Sequence, residues 1–242
     1  MAVGLLKRMR YCFKSRKRLG DALFCFPPAL YLARSGHQVA IECPERHHAI
    51  FDLVSYVCPW TPVWGEPDTV FDTMALDFHF ARSKIKDYVT DAFPELQGVP
   101  RNHNVTFDRY HAVEVPDYGL PRPYILISPF GYSQPRNPPI AWFLDQVRKR
   151  FGPGWKVFCL SDKPVVDCPV PVLTATSVAH LPRLIEEAEE FFTVNSAPSI
   201  IAAAVRTRPY YHVWDWGYDS ADVDARCNYE SYNQIVIDAR YE

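Results

Sequence analysis

The sequence predicts an α/β fold in two halves, each a parallel sheet covered by helices, with the two sheets facing a central cleft. Three observations carry this. Short apolar or aromatic runs alternate with amphipathic stretches, the pattern of β-α-β units. The alternation pauses over residues 97–123, which hold few aliphatics, several prolines and the polar run Arg101-Asn102-His103-Asn104, and restarts at Tyr124-Ile125-Leu126-Ile127-Ser128. The chain has 242 residues, 48% of them hydrophobic, enough for two cores. A boundary near residue 120 therefore separates an N-terminal half, 1–120, from a C-terminal half, 121–242.

In the first half, Tyr11–Lys14 reads as a strand and Asp21–Ser35 as a helix, with apolar residues at helical spacing and Gly36 as its stop. Val39–Cys43 is the next strand. Pro44 turns the chain into a short helix over Glu45–Asp52, and Val54–Val57 reads as strand. Pro59–Pro67 is a rigid loop carrying Trp60 and Trp64, Thr69–Asp77 a strand, and 81–96 a helix ended by Gly98 and Pro100. In the second half, strands are expected at Tyr124–Ser128, Lys156–Leu160, Glu190–Val194 and Pro209–Trp214. Helices are expected at Ile140–Phe151, His180–Glu189 and Pro198–Val205, the last built of small residues.

Net charge is −2, so the whole molecule has no strong electrostatic preference. The distribution is uneven. Residues 1–20 carry Lys7, Arg8, Arg10, Lys14, Arg16, Lys17 and Arg18 and no acid, leaving −9 on the rest. A local cluster of that sign suits phosphates of a nucleotide, a lipid head group or nucleic acid. The seven cysteines, at 12, 25, 43, 58, 159, 168 and 227, include no CxxC pair. That argues against a zinc site or disulfide framework and for buried thiols in a reducing compartment. No apolar run is long enough to span a bilayer, and the N-terminus does not read as a secretory signal, so a cytoplasmic location is expected.

The candidate chemistry centres on Leu19-Gly20-Asp21, which closes the basic loop and opens a helix. Ligands of open α/β sheets bind at the C-terminal ends of strands, where Asp21 stands ready as a general base. The segment taken alone favours Asp21 as a helix N-cap. Asp222-Val223-Asp224 spells a metal-binding DxD, a triplet frequent by chance. His47 and His48 are adjacent and point to different sides of a helix, which favours surface histidines over shared ligation. Trp60, Trp64 and Phe80 suit stacking on a sugar or base, though aromatics in this number more often build core.

Three motifs together resemble the ADP-heptose:lipopolysaccharide heptosyltransferase family of glycosyltransferases. Leu19-Gly20-Asp21 followed by Phe26-Pro27-Pro28-Ala29-Leu30 is similar to the family's Gly-Asp and Pro-Ala-Leu at the first strand-helix junction. Ile127-Ser128-Pro129-Phe130-Gly131-Tyr132-Ser133-Gln134-Pro135-Arg136 resembles its strand ending in His-Pro-Gly-Ala-Ser and the Lys-Arg-Trp-Pro that follows. Thr193-Val194-Asn195-Ser196-Ala197-Pro198-Ser199-Ile200, leading into Ala202-Ala203-Ala204, is similar to its Asn-Asp-Ser-Gly-Pro-x-His-Leu-Ala-Ala-Ala, and is the most specific of the three. The chain departs from the family at Ser128 (His), Pro138 (Trp), Asn195 (Asp), Ala197 (Gly) and Ile200 (His), and is shorter than typical members.

The resemblance implies a GT-B-like fold of two Rossmann-like domains and a sugar transfer that is inverting and metal-independent, with no cofactor beyond a nucleotide-diphosphate sugar donor. It reverses the weighting at Asp21, which becomes the catalytic base. Arg136 would take the place of the family's phosphate-neutralising Lys, since a guanidinium can hold phosphate oxygens bidentately. Gly20, Gly131, Ser133, Asn195, Ser196, Ala197, Pro198 and Ser199 would line the donor site, the last five around a helix N-terminus that presents N–H groups to the diphosphate. The implied acceptor is a glycan or glycolipid, with peripheral membrane contact; the basic loop also admits a modified DNA base. The altered motif positions leave a non-catalytic nucleotide-sugar-binding protein as the rival reading.

Overall fold

The first sheet is parallel, four-stranded and ordered β3-β2-β1-β4, from β1 (Arg10–Lys14), β2 (Gln38–Glu42), β3 (Cys58–Pro59) and β4 (Thr69–Asp72). The computed structural model describes residues 8–15, 18–74, 76, 87–101, 103–131, 137–214 and 234–238. The second sheet is also parallel, six-stranded and ordered β10-β9-β8-β5-β6-β7. Its strands are β5 (Ile125–Ser128), β6 (Val157–Leu160), β7 (Val172–Leu173), β8 (Glu190–Val194), β9 (Tyr210–Trp214) and β10 (Gln234–Asp238). In each sheet the strand order reverses once: between β1 and β4, and between β5 and β8. A doubly wound sheet opens its ligand crevice at such a point.

The expected helix over Asp21–Ser35 is two helices, α1 (Leu19–Leu23) and α2 (Phe26–Arg34). Pro27 and Pro28 explain the break. Each lacks an N–H and crowds the carbonyl four residues back, so a helix can restart with them in its first turn but cannot run through them. Gly36 ends α2 at φ +87°, letting Gly36 and His37 N–H satisfy the carbonyls of Ala33 and Leu32 at 2.9 and 3.1 Å. Glu45–Leu53 is a 3₁₀ helix, and it buries His47, which is therefore not a surface residue; half-buried His48 bonds Cys43 O at 3.2 Å.

Val54–Val57 forms no strand; Val54 and Val57 pack into the core as irregular chain, and the short strand follows at Cys58. β4 stops at Asp72, where Thr73 turns back to donate from its N–H and its hydroxyl to Lys14 O at 3.0 and 2.7 Å. The helix expected over 81–96 is described only as α3 (Tyr88–Ala92), cut by Pro94 before Gly98 is reached. The β3-to-β4 crossover, which in parallel sheets is usually an α-helix, is here a short loop with a single 3₁₀ turn at Pro62–Trp64. It carries Trp64 under the Arg10 guanidinium, 6.0 Å from the ring centroid.

In the second half α4 (Ile140–Phe151), α5 (Leu181–Glu187) and α6 (Ala197–Val205) lie where expected; β7 and β10 are strands the sequence reading lacked. Phe143 and Val147 of α4 pack on Ile125, Ile127, Cys159, Phe192 and Val194, one face of the sheet. The opposite face joins the first half. One buried cluster runs from Phe13, Phe26 and Phe71 through Tyr124 and Leu126 to Ile185, Phe191 and Ile201. Phe13, Phe26 and Phe71 are fully buried, each contributing roughly 1.5–3 kcal/mol by leaving water.

The polar connector is part of that core. Val99, Val105 and Phe107 are buried in it, Asn104 Nδ2 donates to Ala203 O of α6 at 3.0 Å, and Tyr110 OH donates to Glu186 at 3.0 Å. Arg206, just past α6, is 5% exposed and donates to the carbonyls of Ile185, Ala188, Glu189 and Pro209 at 2.8–3.1 Å.

Candidate functional site

Parallel strands place their C-terminal ends on one edge of each sheet, and the two edges meet through α1 and α6. On the first edge, β1 ends in Lys14 and buried Ser15, whose N–H bonds Glu42 O at 2.9 Å. The chain enters α1 with exposed Arg18 at the N-cap position. Asp21 is the third residue of that helix, so it is not the N-cap. It is 7% exposed, with Oδ2 shielded from solvent. Cys25 Sγ donates to the Asp21 carbonyl at 3.5 Å. Burial pushes the Cys25 thiol well above its ordinary value, with the Asp21 carboxylate and Cys43 pushing the same way and the Thr73 hydroxyl opposing. Asp21, Cys25 and Thr73 therefore form a compact buried polar group at the β1-β4 reversal.

On the second edge, Ser128, Thr193 and His212 stand side by side across β5, β8 and β9. They are buried, 3% exposed or less, and share the sheet face toward α6, because the alternate residues Ile127, Val194 and Val213 pack on the α4 face. Thr193 Oγ1 lies 3.4 Å from Ser196 Oγ and donates to Val194 O at 3.0 Å. His212 pairs through Nδ1 with the Gln234 amide, and burial lowers its pKa from 6.5 to about 3. At physiological pH it is a neutral imidazole.

The start of α6 differs from the open anion cradle that its sequence suggests. Ser199 Oγ accepts from Ser196 N–H at 3.2 Å and donates to Ser196 O at 2.7 Å. The N–H groups of Ser199 and Ile200 both point to Ser196 O, at 3.0 and 3.4 Å. Pro198 has no N–H to offer. Among the described residues, Ala197 N–H is thus the helix-end donor left for a ligand. A Cβ placed on Gly20 would lie 3.5 Å from Ile200 Cδ1 and 3.9 Å from Ala197 N. The first-turn residues of α1 and α6 are therefore in contact, with Ile200, 5% exposed, between them. Gly131 closes the β5-β8 crevice from the other side. Its N–H bonds Asn137 Oδ1 at 2.8 Å, and a Cβ on it would come within 2.8 Å of Asn195 O.

The fold thus brings Gly20, Asp21, Asn195, Ser196, Ala197, Pro198 and Ser199 to one place, with Gly131 against Asn195. Ser133 and Arg136 lie outside the described residues, as do Arg16, Lys17, Phe80 and Asp222-Val223-Asp224. Among the described residues no three His, Cys, Asp or Glu side chains are grouped to hold a metal, and no helix is long and apolar enough to cross a membrane. Trp60 and Trp64 are half-buried and belong to the β3-β4 crossover. The sequence reading missed Cys25, Thr73 and the Ser128-Thr193-His212 row. For that row the available signal was a polar residue within or at the end of an apolar strand run, as in Ile127-Ser128, Phe192-Thr193 and Tyr211-His212.

No protein-family model and no curated protein matches the chain. Solved structures do. The iron-containing dodecameric glycosyltransferase TibC from enterotoxigenic E. coli H10407 superposes with a TM-score of 0.64 at 18% identity, over 86% of this chain and 58% of TibC. E. coli heptosyltransferase WaaC with ADP gives 0.62 at 14%, over 95% of this chain and 90% of WaaC. The glycosyl transferase family 9 structure from Veillonella parvula DSM 2008 gives 0.66 at 12%, over 98% and 87%.

The fold is GT-B.

What is shared at these identities is the architecture, the GT-B pair of parallel α/β sheets that the sequence predicted. The chain spans 58% of TibC in the first of these structures and 63% in the TibC structure in complex with ADP-D-β-D-heptose, less than two thirds of either. The difference between this chain and a GT-B framework alone rests in the side chains at the two strand-order reversals.

Proposed function

We propose that the protein is a glycosyltransferase that moves a sugar from a nucleotide-diphosphate sugar to an acceptor hydroxyl, with inversion and without a metal. One observation carries the reading: Asp21, a largely buried carboxylate in the first turn of α1, the helix after β1, directly follows Gly20, which rests against the first turn of α6. The GT-B likeness supports it, because heptosyltransferase structures with this fold hold ADP or ADP-D-β-D-heptose. Asp21 takes the proton from the acceptor hydroxyl as it attacks the anomeric carbon. The glycosidic bond to the nucleotide breaks, and the leaving diphosphate is met by Arg136 and the Ala197 N–H. Ser133 and the Asn195–Ser199 turn complete the donor wall. The acceptor is a glycan or glycolipid, reached from the cytoplasmic side by peripheral contact of the basic segment.

The test is a panel of nucleotide sugars including ADP-heptose, read as released nucleotide diphosphate. Wild type is expected to release it, and Asp21→Asn to lose at least ~100-fold in turnover with donor affinity retained. Equal release by both proteins would remove Asp21 from the chemistry. A specific observation favours a second reading. Ile200 stands at the α1-α6 contact, and the first turn of α6 bonds mostly to itself, so the protein can retain a nucleotide-sugar site without turnover. Thermal stabilisation by a nucleotide with no release, unchanged in Asp21→Asn, would establish that binder. For a modified DNA base as acceptor, Arg16→Ala, Lys17→Ala and Arg18→Ala must weaken DNA binding at low salt.

A further inference from the structure

The β6-to-β7 connection is unusual for a parallel pair. Such crossovers ordinarily take a dozen or more residues and a helix; here residues 161–171 return irregularly, with Cys159↔Val172 and Leu160↔Leu173 in register. Cys159 N–H is bonded to Pro171 O at 2.9 Å and Ser161 N–H to Leu173 O at 3.1 Å, so both ends of the loop are fixed. Asp167, immediately before Cys168, adopts a left-handed backbone at φ +53°, which a non-glycine residue rarely does.

That path lays Cys168 on the sheet face toward which Cys159 points. Cys159 is fully buried in the cluster with Ile125, Ile127 and Phe143, and half-buried Cys168 packs against the same cluster. Cys168 packs against the cluster that holds Cys159, near enough that its thiol raises the pKa of Cys159.

We propose that Cys159 and Cys168 are a redox-responsive dithiol that closes to a disulfide on exchange with oxidised glutathione, pinning the β6-β7 crossover to the sheet. The inference stands independently of the sugar-transfer reading. Half-buried Cys168 is the entry thiol. Its thiolate attacks one sulfur of oxidised glutathione, forming a mixed disulfide and expelling one glutathione thiolate. Cys159 then loses its proton and attacks Cys168 Sγ, expelling the second glutathione. One glutathione disulfide is reduced, one protein disulfide is made, and the two protein protons end on two glutathione thiols. Burial pushes the Cys159 thiol up to about 12, which makes the resolving step the slow one.

The experiment incubates the native full-length chain with oxidised glutathione at mildly alkaline pH, quenches by alkylation and maps cysteine-containing peptides by mass spectrometry. A Cys159–Cys168 crosslink is expected as the dominant product, reversed by dithiothreitol. Cys159→Ser should accumulate a glutathione adduct on Cys168, and Cys168→Ser should form no crosslink to Cys159. The wild-type result stands by itself if either variant fails to fold. Alkylated thiols at both positions after oxidation, or Cys168 joined to another cysteine, would overturn the proposal. So would a crosslink that forms only in denaturant.

Discussion

At Arg206 a single side chain joins three elements. Its guanidinium bonds four carbonyls, at the end of α5, before β8 and before β9, and burial lowers its pKa. Removing the donors leaves buried carbonyls unpaired, so Arg206→Met is expected to cost about 3 kcal/mol, read as a shift in the urea midpoint. His212 makes a pH-dependent contribution. Its folded pKa is about 3 against 6.5, so the unfolded chain binds the extra proton between those values. Stability is therefore complete above pH 6.5 and falls as the pH drops, by about 2 kcal/mol at pH 5. Urea titrations from pH 7.5 to 5 should show this decline, flattened in His212→Gln. Gly131 matters through what it lacks. Gly131→Ala sets a Cβ 2.8 Å from a main-chain oxygen, and neither side yields easily, so a loss of roughly 1–3 kcal/mol is expected in the same assay.

At the level of elements, the chain is built where period and punctuation agree. α4 follows from apolar positions 143 and 147 on one face and Gly152 at its end. α6 follows from small residues and a Ser-x-x-Ser start. Ser199→Ala removes both the acceptor for Ser196 N–H and the donor to Ser196 O, and should cost about 1 kcal/mol. It should also free the Ser196 N–H at the helix end. A nucleotide diphosphate that binds here would then be held at least as tightly, a result isothermal titration can check. Departures came where one residue type competed with a pattern. Pro27-Pro28 split a helix that apolar spacing made continuous. Val54–Val57 have strand-forming residues but find no neighbouring strand.

Across the whole molecule, the decisive feature is the core shared by the two sheets. It passes from the first sheet through Val99, Val105 and Phe107 of the connector to α5 and α6. Cutting it at any point exposes apolar surface on both sides. Urea unfolding is therefore expected as one cooperative transition, coincident by tryptophan fluorescence and far-ultraviolet circular dichroism. Two separated transitions would mean that each half keeps its own core. Ile200→Ala, at the α1-α6 contact, should lower the single midpoint, as loss of buried methyl groups costs ~2–5 kcal/mol.

The sequence by itself determined the alternation of strands and helices, the parallel sense of both sheets, and the turn of polar residues that starts α6. These are local: hydrophobic period, proline and glycine act within a few residues. Tertiary structure alone decided that Asp21 lies inside α1 rather than capping it, and that the polar connector is core. It also decided that Ser128, Thr193 and His212 align, and that Gly20 rests on Ile200. Each depends on which distant segments share an edge or face, and strand order and register set that without leaving a mark in any single stretch of sequence.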